Sequence, residues 1–513
     1  MSLLQMSKSP GNWFMRFAKL PWYMQWLVTS VLALVVYWPI LGNSFVADDH
    51  IVLKKVCIDK QLNVDGFFRP LSDITLYINY VINGLHPAGY YLWNILFHAL
   101  DAVLLFHFCS RWRWTDNEHK QLLTAVLSAL LFLIYPFHSE PINWVLGRAA
   151  LMGNTFAMLA LVCMVSNWSN YKKMAGVALC YFIGMTGYES VMVLPAVVFL
   201  WLLTTEMPMR KKVEWMGAMV LTLLLHFIVR VKVSGVVTGE YGEGFLNVNV
   251  VAILGKSVKS LGRLFLPPMA NNRVISILFL VLVVVLGVVL VRLWKKINND
   301  KRAVYYFLQM LTSLFAALLI PFLFGVSTHT SESDRFLHFP SFFLCIVISF
   351  CLVCLLEYRR SLLVMVTAIV IYFVYFLEAT NNNWRKASVA VTSLLQMAHD
   401  NAGKGKLYIV NLPDEVDGAF VFRSGLHEAL MLQKLDTASV VIVNQVKRDT
   451  LLTLPTIIEP RDINGGVFIA PRVLVDRGGA QLPVIPGKDK AIAISPSPQD
   501  KTVFWNNKAW IRL

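Results

Sequence analysis

The stretch RVISILFLVLVVVLGVVLVRL, residues 273–293, carries no charge between Arg273 and Arg292. About 20 residues in an α-helix cross the roughly 30 Å hydrocarbon core of a bilayer. A helix on the surface of a soluble core would show a polar stripe, and this stretch has none. It therefore reads as a membrane-spanning helix, and Trp294, Lys295 and Lys296 follow it as interfacial anchors. The same test applied outward predicts spans at 20–41, 88–110, 120–137, 143–166, 174–187, 189–205, 213–231, 303–325, 336–356 and 361–378, eleven in all with 273–293. The fifth and sixth are short and meet at Gly184–Glu189, so one broken hairpin is an alternative. The first is too long for the apolar core of a cleavable signal and reads as a retained anchor. The expected fold class is mainly α: a polytopic helical body over 1–378, followed by an outer domain over 379–513.

Composition agrees. Of 513 residues, 57% are hydrophobic and 15% charged, and the mean hydropathy is +0.58. Soluble domains carry about 45–50% apolar and about 25% charged residues, which excludes a soluble enzyme, a disordered scaffold or a nucleic-acid-binding domain as the whole chain. The net charge of +15 invites a nucleic-acid partner until the basic residues are placed. Arg16 and Lys19, Arg111 and Arg113, Lys172 and Lys173, Arg210 to Lys212, Arg292 to Arg302, and Arg359 with Arg360 crowd short connections on one side. The positive-inside rule puts that side in the cytoplasm, with the N-terminus, and leaves the C-terminal domain outside a bacterial inner membrane. The charge is topological, and no nucleic-acid partner is expected. The seven cysteines have no regular spacing. Cys351 and Cys354 form a CxxC inside an apolar span without a second ligand pair, so they read as helix packing and not as a metal site. There is no P-loop, HExxH, GxSxG or dinucleotide fingerprint.

Three outer segments are long enough to fold: 42–88, 232–272 and everything after Glu378. The second holds Gly-rich TGEYGEGF and then the amphipathic VAILGKSVKSLGRLF. In the third, LYIVNL, SVVIVNQV and TLPTIIEP alternate with the turns LPDEVDG and DING, and SGLHEALMLQKL reads as one helix. A small, mainly β α+β domain is expected there.

Ionisable residues close to a bilayer are costly and mark candidate sites. In FVADDH, residues 45–50, Asp48 and Asp49 stand just outside the first span. Adjacent carboxylates repel, so one is held by a cation or hydrogen bonds while the other is left to transfer protons. The plainer alternative is a helix N-cap with a solvated neighbour. Arg69-Pro70 starts a helix suited to the membrane interface. Asn94, His98 and Asp101 then recur at helical spacing, lining a polar cavity or, in the case of His98 and Asp101, satisfying each other. In YPFHSEPINWVLGRAALMGN, residues 135–154, His138 and Glu140 fall in a short outer loop and Arg148 enters the next span. A buried arginine needs an anion, either Glu140 as structure or a bound phosphate as function. In THTSESDRFLHFPS, residues 328–341, the candidates are Glu332, Asp334, Arg335 and His338, with an interfacial Arg335–Asp334 pair as the plain alternative. Glu189, in TGYES at an outer helix end, is a weaker candidate.

The order of these motifs resembles GT-C glycosyltransferases, most of all the membrane half of the transmembrane, TPR-containing O-mannosyltransferases. The residues that carry the likeness are Phe45-Val46-Ala47-Asp48-Asp49, Phe68-Arg69-Pro70-Leu71, and Gly89-Tyr90 through Asn94 to His98. They continue with His138, Glu140, Gly147-Arg148, and Asp334-Arg335 through His338 to Pro340-Ser341. The likeness covers residues 40–345. It implies an inverting transferase that moves a sugar from a polyprenyl-phosphate donor to an acceptor hydroxyl on a protein, glycan or lipid at the outer membrane face. It implies Asp48 or Asp49 as base, and Arg69, Arg148 and Arg335 as donor or phosphate contacts. Arg69 can instead stabilise the acidic pair. It further implies His138, Glu140, Asn94, His98, Asp334 and His338 along the acceptor side or pocket. Since the donor linkage is already a phosphodiester and its leaving group a phosphate, no cofactor and no obligatory divalent ion are expected. The sequence departs from the family in having the outer domain in place of the TPR array, His86-Pro87 where an acidic residue often precedes Pro, and Tyr188-Glu189 in place of Lys-Glu. Neither mannose nor an acceptor is carried over. The competing class is a transporter or flippase of lipid-linked glycans, which would place paired charges or broken helices near the midplane. Here the notable charges gather at the outer ends of spans.

Overall fold

The computed structural model describes residues 13–62, 67–235, 249–269, 271–356, 359–442, 445–446, 474–475, 481–482, 499–506 and 508–512. The expected TGEYGEGF loop and the TLPTIIEP and DING segments lie outside them. Among the described residues, eight helices are long and apolar enough to cross a membrane, or nine if one bent pair counts as a span. They are Trp22–Gly42, Pro87–Arg111, Val145–Met164, Met209–Ser234, Asn272–Ile297, Lys301–Phe324, Asp334–Leu355 and Arg360–Asn401. The bent pair is Glu118–Leu133 with Pro136–Asn143, broken by 50°. Pro136 and Pro141 explain the break, since proline lacks the N–H that a continuous helix requires. The expected fifth and sixth spans are helices at Asn170–Met185 and Glu189–Leu203. With 16 residues the former reaches about 24 Å, short of a full crossing.

The chain divides into two units. One comprises residues up to Leu41, Leu62–Gly84 and Gly89–Thr380. In it, Arg148–Met164 packs on Asn170–Met185, and His338–Leu355 packs on Glu118–Leu133 and Lys301–Ala317. Small residues let the first pair approach: a Cβ on Gly184 would sit 3.1 Å from the Gly153 carbonyl oxygen, and one on Gly153 2.9 Å from the Tyr188 Cβ. Polar ties cross the bundle where hydrocarbon offers no alternative partner. Trp201 Nε1 donates to Ser313 Oγ at 2.7 Å and Trp112 Nε1 to Gln309 Oε1 at 3.0 Å. By contrast, Asn272–Ile297 exposes most of its valines and leucines, as a lipid-facing helix does, and buries only Leu293 and Ile297 near its end.

The other unit comprises Gly42–Gln61, Leu85–Ala88 and Asn381–Leu513. Residues 42–61, expected with the membrane body, therefore pack with the C-terminal region. Its sheet places Leu407–Val410 centrally, parallel to Val440–Ile442 on one side and to Lys501–Trp505 on the other, with Trp510–Arg512 antiparallel on the outer edge. Parallel neighbours need a crossover, and the helix Leu426–Leu432 lies within it. Helix and sheet share this unit, as the expected α+β class has it. The helix Arg359–Asn401, of 43 residues, runs well past the expected end at 378. Polarity changes at Glu378, but no Gly or Pro intervenes until Gly403, whose φ of +71° ends the helix. Trp384 on this helix packs edge-on against Phe420, and Trp510 Nε1 donates to the Ala390 carbonyl at 2.8 Å.

Gly147 tests how tightly the broken span is built. Its φ is an ordinary −57°, but an added Cβ would lie 2.6 Å from the Pro141 oxygen. Gly147→Ala is expected to destabilise the protein by about 1–3 kcal/mol through overpacking. Gly287→Ala, where an added methyl meets nothing within 4 Å, is the control expected to leave the melting temperature unchanged or raised. Thermal unfolding followed by tryptophan fluorescence in detergent compares the two.

Candidate active site

In the first unit the charged residues form connected pairs. Arg69 precedes Pro70, the first residue of the helix Pro70–Asn83, and its guanidinium lies over Phe67 and Tyr188 at 4.6 and 4.8 Å from the ring centroids. Its Nη2 donates to Glu189 Oε2 at 3.0 Å, while Arg230 Nη1 stands 3.6 Å from Oε1 of the same carboxylate. The Tyr188 hydroxyl in turn accepts from Arg335 Nε at 2.9 Å. Arg335 donates its backbone N–H to Glu140 Oε2 at 2.7 Å and its Nη1 to Glu140 Oε1. Three arginines thus meet two carboxylates around one tyrosine. Glu140 is fully buried and Arg230 nearly so, whereas Arg69 and Arg335 keep 21% and 15% of their side chains exposed. Such half-open guanidinium forks, already desolvated on one side and fixed by carboxylates, suit phosphate oxygens.

Arg148 stands differently. Its Nε donates to Asn94 Oδ1 at 3.0 Å, its Nη2 to Asn79 Oδ1 and to the Tyr90 carbonyl at 2.8 Å each, and its Nη1 to the Thr75 carbonyl at 3.3 Å. These bonds go to neutral oxygens and not to Glu140, and the side chain has no exposed surface. The same Asn94 donates to the Ile142 and Trp144 carbonyls, capping the backbone where the span is broken. Asn94 and Arg148 are thus spent on architecture. Asp334 likewise pairs with Arg263 at 2.5 Å, not with Arg335. Arg263 also donates to the Ser327 and Leu266 carbonyls and lies over Phe137.

Sequence reasoning passed over Arg230 and Arg263. The signal for Arg230 was available, since it lies within a predicted span. Arg263 was concealed as one more basic residue on an amphipathic helix. His98, His138 and His338, expected to line a pocket, come together in the interior with no exposed surface. The expected His98–Asp101 pairing is absent. His98 Nε2 bonds the Leu133 carbonyl, and Asp101 Oδ2 lies 3.7 Å from His338 Nε2. These histidines are the described residues that could hold a metal.

In the second unit Asp48 and Asp49 separate in role. Asp49 is buried and its Oδ2 accepts from the Val46 N–H at 3.1 Å, closing the turn in which Ala47 takes a φ of +46°. Asp48 is half-buried, occupies the N-cap position of the short helix Asp49–Leu53 without a side-chain cap bond, and accepts from the Ser424 hydroxyl. Ala47 N donates to the Val421 carbonyl at 2.8 Å. At Gly425, with φ +84°, a Cβ would lie 2.6 Å from the Ala47 oxygen. Ser424, far away in sequence, had no local signal.

No family model matches the chain. Among curated proteins it is similar to Protein O-mannosyl-transferase TMTC3 of Homo sapiens, 34% identical over 95 residues, which are 18% of this chain and 10% of that protein. It is similar to Protein O-mannosyl-transferase tmtc2 of Xenopus laevis, 26% identical over 166 residues, 28% of this chain and 19% of that one. Protein O-mannosyl-transferase TMTC4 of Homo sapiens matches at 34% over 103 residues, 18% and 14% of the two chains. The matches therefore span 10–19% of the length of these relatives. The solved structure of ArnT from Cupriavidus metallidurans bound to undecaprenyl phosphate aligns at 14% identity and a TM-score of 0.49, over 82% of this chain and 89% of that one. That likeness is too loose to settle fold or function.

His50, next to the acidic pair, gives a pH test. Burial pushes its imidazole from 6.5 down to about 4, and the Phe45 backbone bond only partly opposes this. The folded chain holds it neutral while the unfolded chain takes up a proton below 6.5. Stability from this group is complete above that value and is lost as pH falls toward about 4. Thermal melts of the wild type should show this slope, and His50→Phe should flatten it.

Proposed function

We propose that this multi-pass membrane protein is a glycosyltransferase of the GT-C type, moving a sugar from a polyprenyl-phosphate donor to an acceptor hydroxyl at the outer membrane face. The observation that carries the reading is the Arg69–Glu189–Arg230 and Arg335–Glu140 network joined at Tyr188, a fixed cationic surface built for a phosphate. The sequence match to O-mannosyl-transferases supports it and favours chemistry over the transporter reading. Charge crowded into the opposite connections supports an N-terminus in the cytoplasm and a bacterial inner membrane as the location.

In the proposed reaction Asp48 takes the proton of the acceptor hydroxyl, and the Ser424 bond orients its carboxylate. The acceptor oxygen attacks the anomeric carbon on the face opposite the phosphate, which inverts that centre. The carbon–oxygen bond to phosphate breaks, and polyprenyl phosphate leaves with one more negative charge than it carried in the donor. Arg335 and Arg69 bind that developing charge from positions already fixed by Glu140 and Glu189, so little reorganisation is needed at the transition state. Phosphate departs without strong acid catalysis, and these residues need no divalent ion for the transfer. Arg148 contributes by holding Asn79 and Asn94 and not by touching donor. Asp49 keeps the turn that presents Asp48.

Purified protein is incubated with a panel of short-chain polyprenyl-phosphate hexoses, mannose among them, and release of polyprenyl phosphate is followed. Asp48→Asn is expected to lower turnover by about 10²–10⁴-fold at unchanged melting temperature. Arg335→Lys should lower it by about 10²-fold, because lysine does not replace the fork. Wild-type turnover in Asp48→Asn would sink the base assignment. Movement of labelled lipid-linked sugar across vesicles without transfer would support the transporter instead.

A further inference from the structure

We propose that His98, His138, His338 and Asp101 form a tetrahedral site for a zinc-like divalent ion inside the helical body. His98 and Asp101 lie one turn apart on Pro87–Arg111, His138 ends the 3-10 turn Pro136–His138, and His338 begins the helix His338–Leu355. Each histidine offers one nitrogen, and the three nitrogens lie within 4.8 Å of one another. Asp101 Oδ2 is 3.7 Å from His338 Nε2. Zinc–nitrogen bonds of about 2.0–2.1 Å put neighbouring tetrahedral ligands about 3.3–3.4 Å apart. The three nitrogens close on an ion with side-chain shifts of about 1 Å, while Asp101, which stands beside His338 and outside that 4.8 Å group, has to turn further to become the fourth ligand.

The protonation pattern argues for an ion more strongly than the distances do. His98 Nε2 lies 3.1 Å from the Leu133 carbonyl, which can only accept, so that nitrogen carries the proton and Nδ1 carries the lone pair. The Ser341 hydroxyl already donates to the His338 carbonyl at 2.7 Å, so it accepts from His138 Nε2 at 2.6 Å. With Nε2 carrying the proton, shared between Ser341 and the nearby Phe132 carbonyl, His138 Nδ1 carries the lone pair. His338 Nδ1 faces the Asn154 amide at 3.1 Å, and the buried Asn154 Oδ1 has no partner. Exchanging that amide's oxygen and nitrogen, which ordinary data do not distinguish, lets His338 Nδ1–H donate to Oδ1 and turns a lone pair onto Nε2. These three inward nitrogens, His98 Nδ1, His138 Nδ1 and His338 Nε2, are all buried without a hydrogen-bond partner. So are both Asp101 oxygens, which have His338 Nε2 at 3.7 Å and the Thr155 hydroxyl beside them, the latter donating to the Leu151 carbonyl.

Three lone pairs and a carboxylate facing one another inside a bilayer are unfavourable without a cation among them. One divalent ion satisfies all four at once. Three imidazoles and one carboxylate suit zinc over magnesium or calcium, which prefer all-oxygen shells. The outer hydrogen bonds to Leu133, Ser341 and Asn154 are of the kind that fix metal-binding imidazoles. The ion would tie three segments together as structure, apart from the proposed transfer chemistry.

The test uses the full chain, purified in detergent on a tag without histidine. Elemental analysis is expected to find about one zinc per chain. Exchange with cobalt(II) should give the intense visible absorption of a tetrahedral ion. Asp101→Asn and His338→Gln should abolish that absorption. Ser341→Ala, outside the ligand set, should weaken cobalt affinity by about 10–100-fold. A folded wild type that holds no zinc and gives no tetrahedral cobalt spectrum would overturn the proposal, and so would metal that survives in the His98→Gln/His338→Gln double variant. The wild-type measurements decide the matter even if a variant does not fold. They read metal and not sugar transfer, so this proposal and the transferase reading fail separately.

Discussion

A guanidinium placed among membrane helices must find acceptors for its N–H groups, and that constraint organises the first unit. Arg148 solves it with two asparagine oxygens and two carbonyls, Arg263 with Asp334 and two carbonyls, and Arg335 with Glu140 and a tyrosine hydroxyl. The carbonyls come largely from places where the backbone leaves the helix, such as Ser327, Leu266 and the Ile142–Trp144 break that Asn94 caps. Broken spans and buried arginines therefore belong together. A helix interrupted by Pro136 and Pro141 would be costly in lipid unless polar side chains took up its loose groups.

This coupling explains which parts of the fold were legible. Where a run is uniformly apolar, as at 273–293, composition alone defines a helix and its place. Helix ends are less legible, because hydropathy reports solvent and not backbone. Nothing at Glu378 stops a helix, so Arg359–Asn401 continues into the second unit until Ala402 and Gly403. The sequence reading puts a span at 120–137, another at 143–166, which is the helix Val145–Met164, and a short loop between them. In fact the proline-broken stretch between them carries both Glu140 and His138.

The candidate site was legible in its residues and not in its pairings. Asp334 with Arg335, and His98 with Asp101, were natural partners by adjacency. Neighbours at i, i+1 point apart, so Asp334 pairs elsewhere, whereas His98 and Asp101 share a face and yet His98 turns to the Leu133 carbonyl. Arg263 reaches Asp334 and Glu140 reaches Arg335 from segments that no local pattern connects. The acidic pair shows the same rule at smaller scale. Its two carboxylates are one residue apart, yet one closes a backbone turn and the other accepts from Ser424.

Burial then separates the arginines that the motifs present as equals. A fully enclosed fork with four acceptors gains nothing from a ligand, since binding a phosphate would require breaking bonds that hold the break at 142–144 in place. A fork fixed by carboxylate and ring that keeps part of its surface exposed can meet an anion without leaving those partners. Arg69 and Arg335 have that form, and Arg148 and Arg263 do not. Tyr188 stands between the two open forks, stacked under one and bonded to the other. It links the forks without adding charge of its own, and so couples the Arg69–Glu189 pair to the Arg335–Glu140 pair.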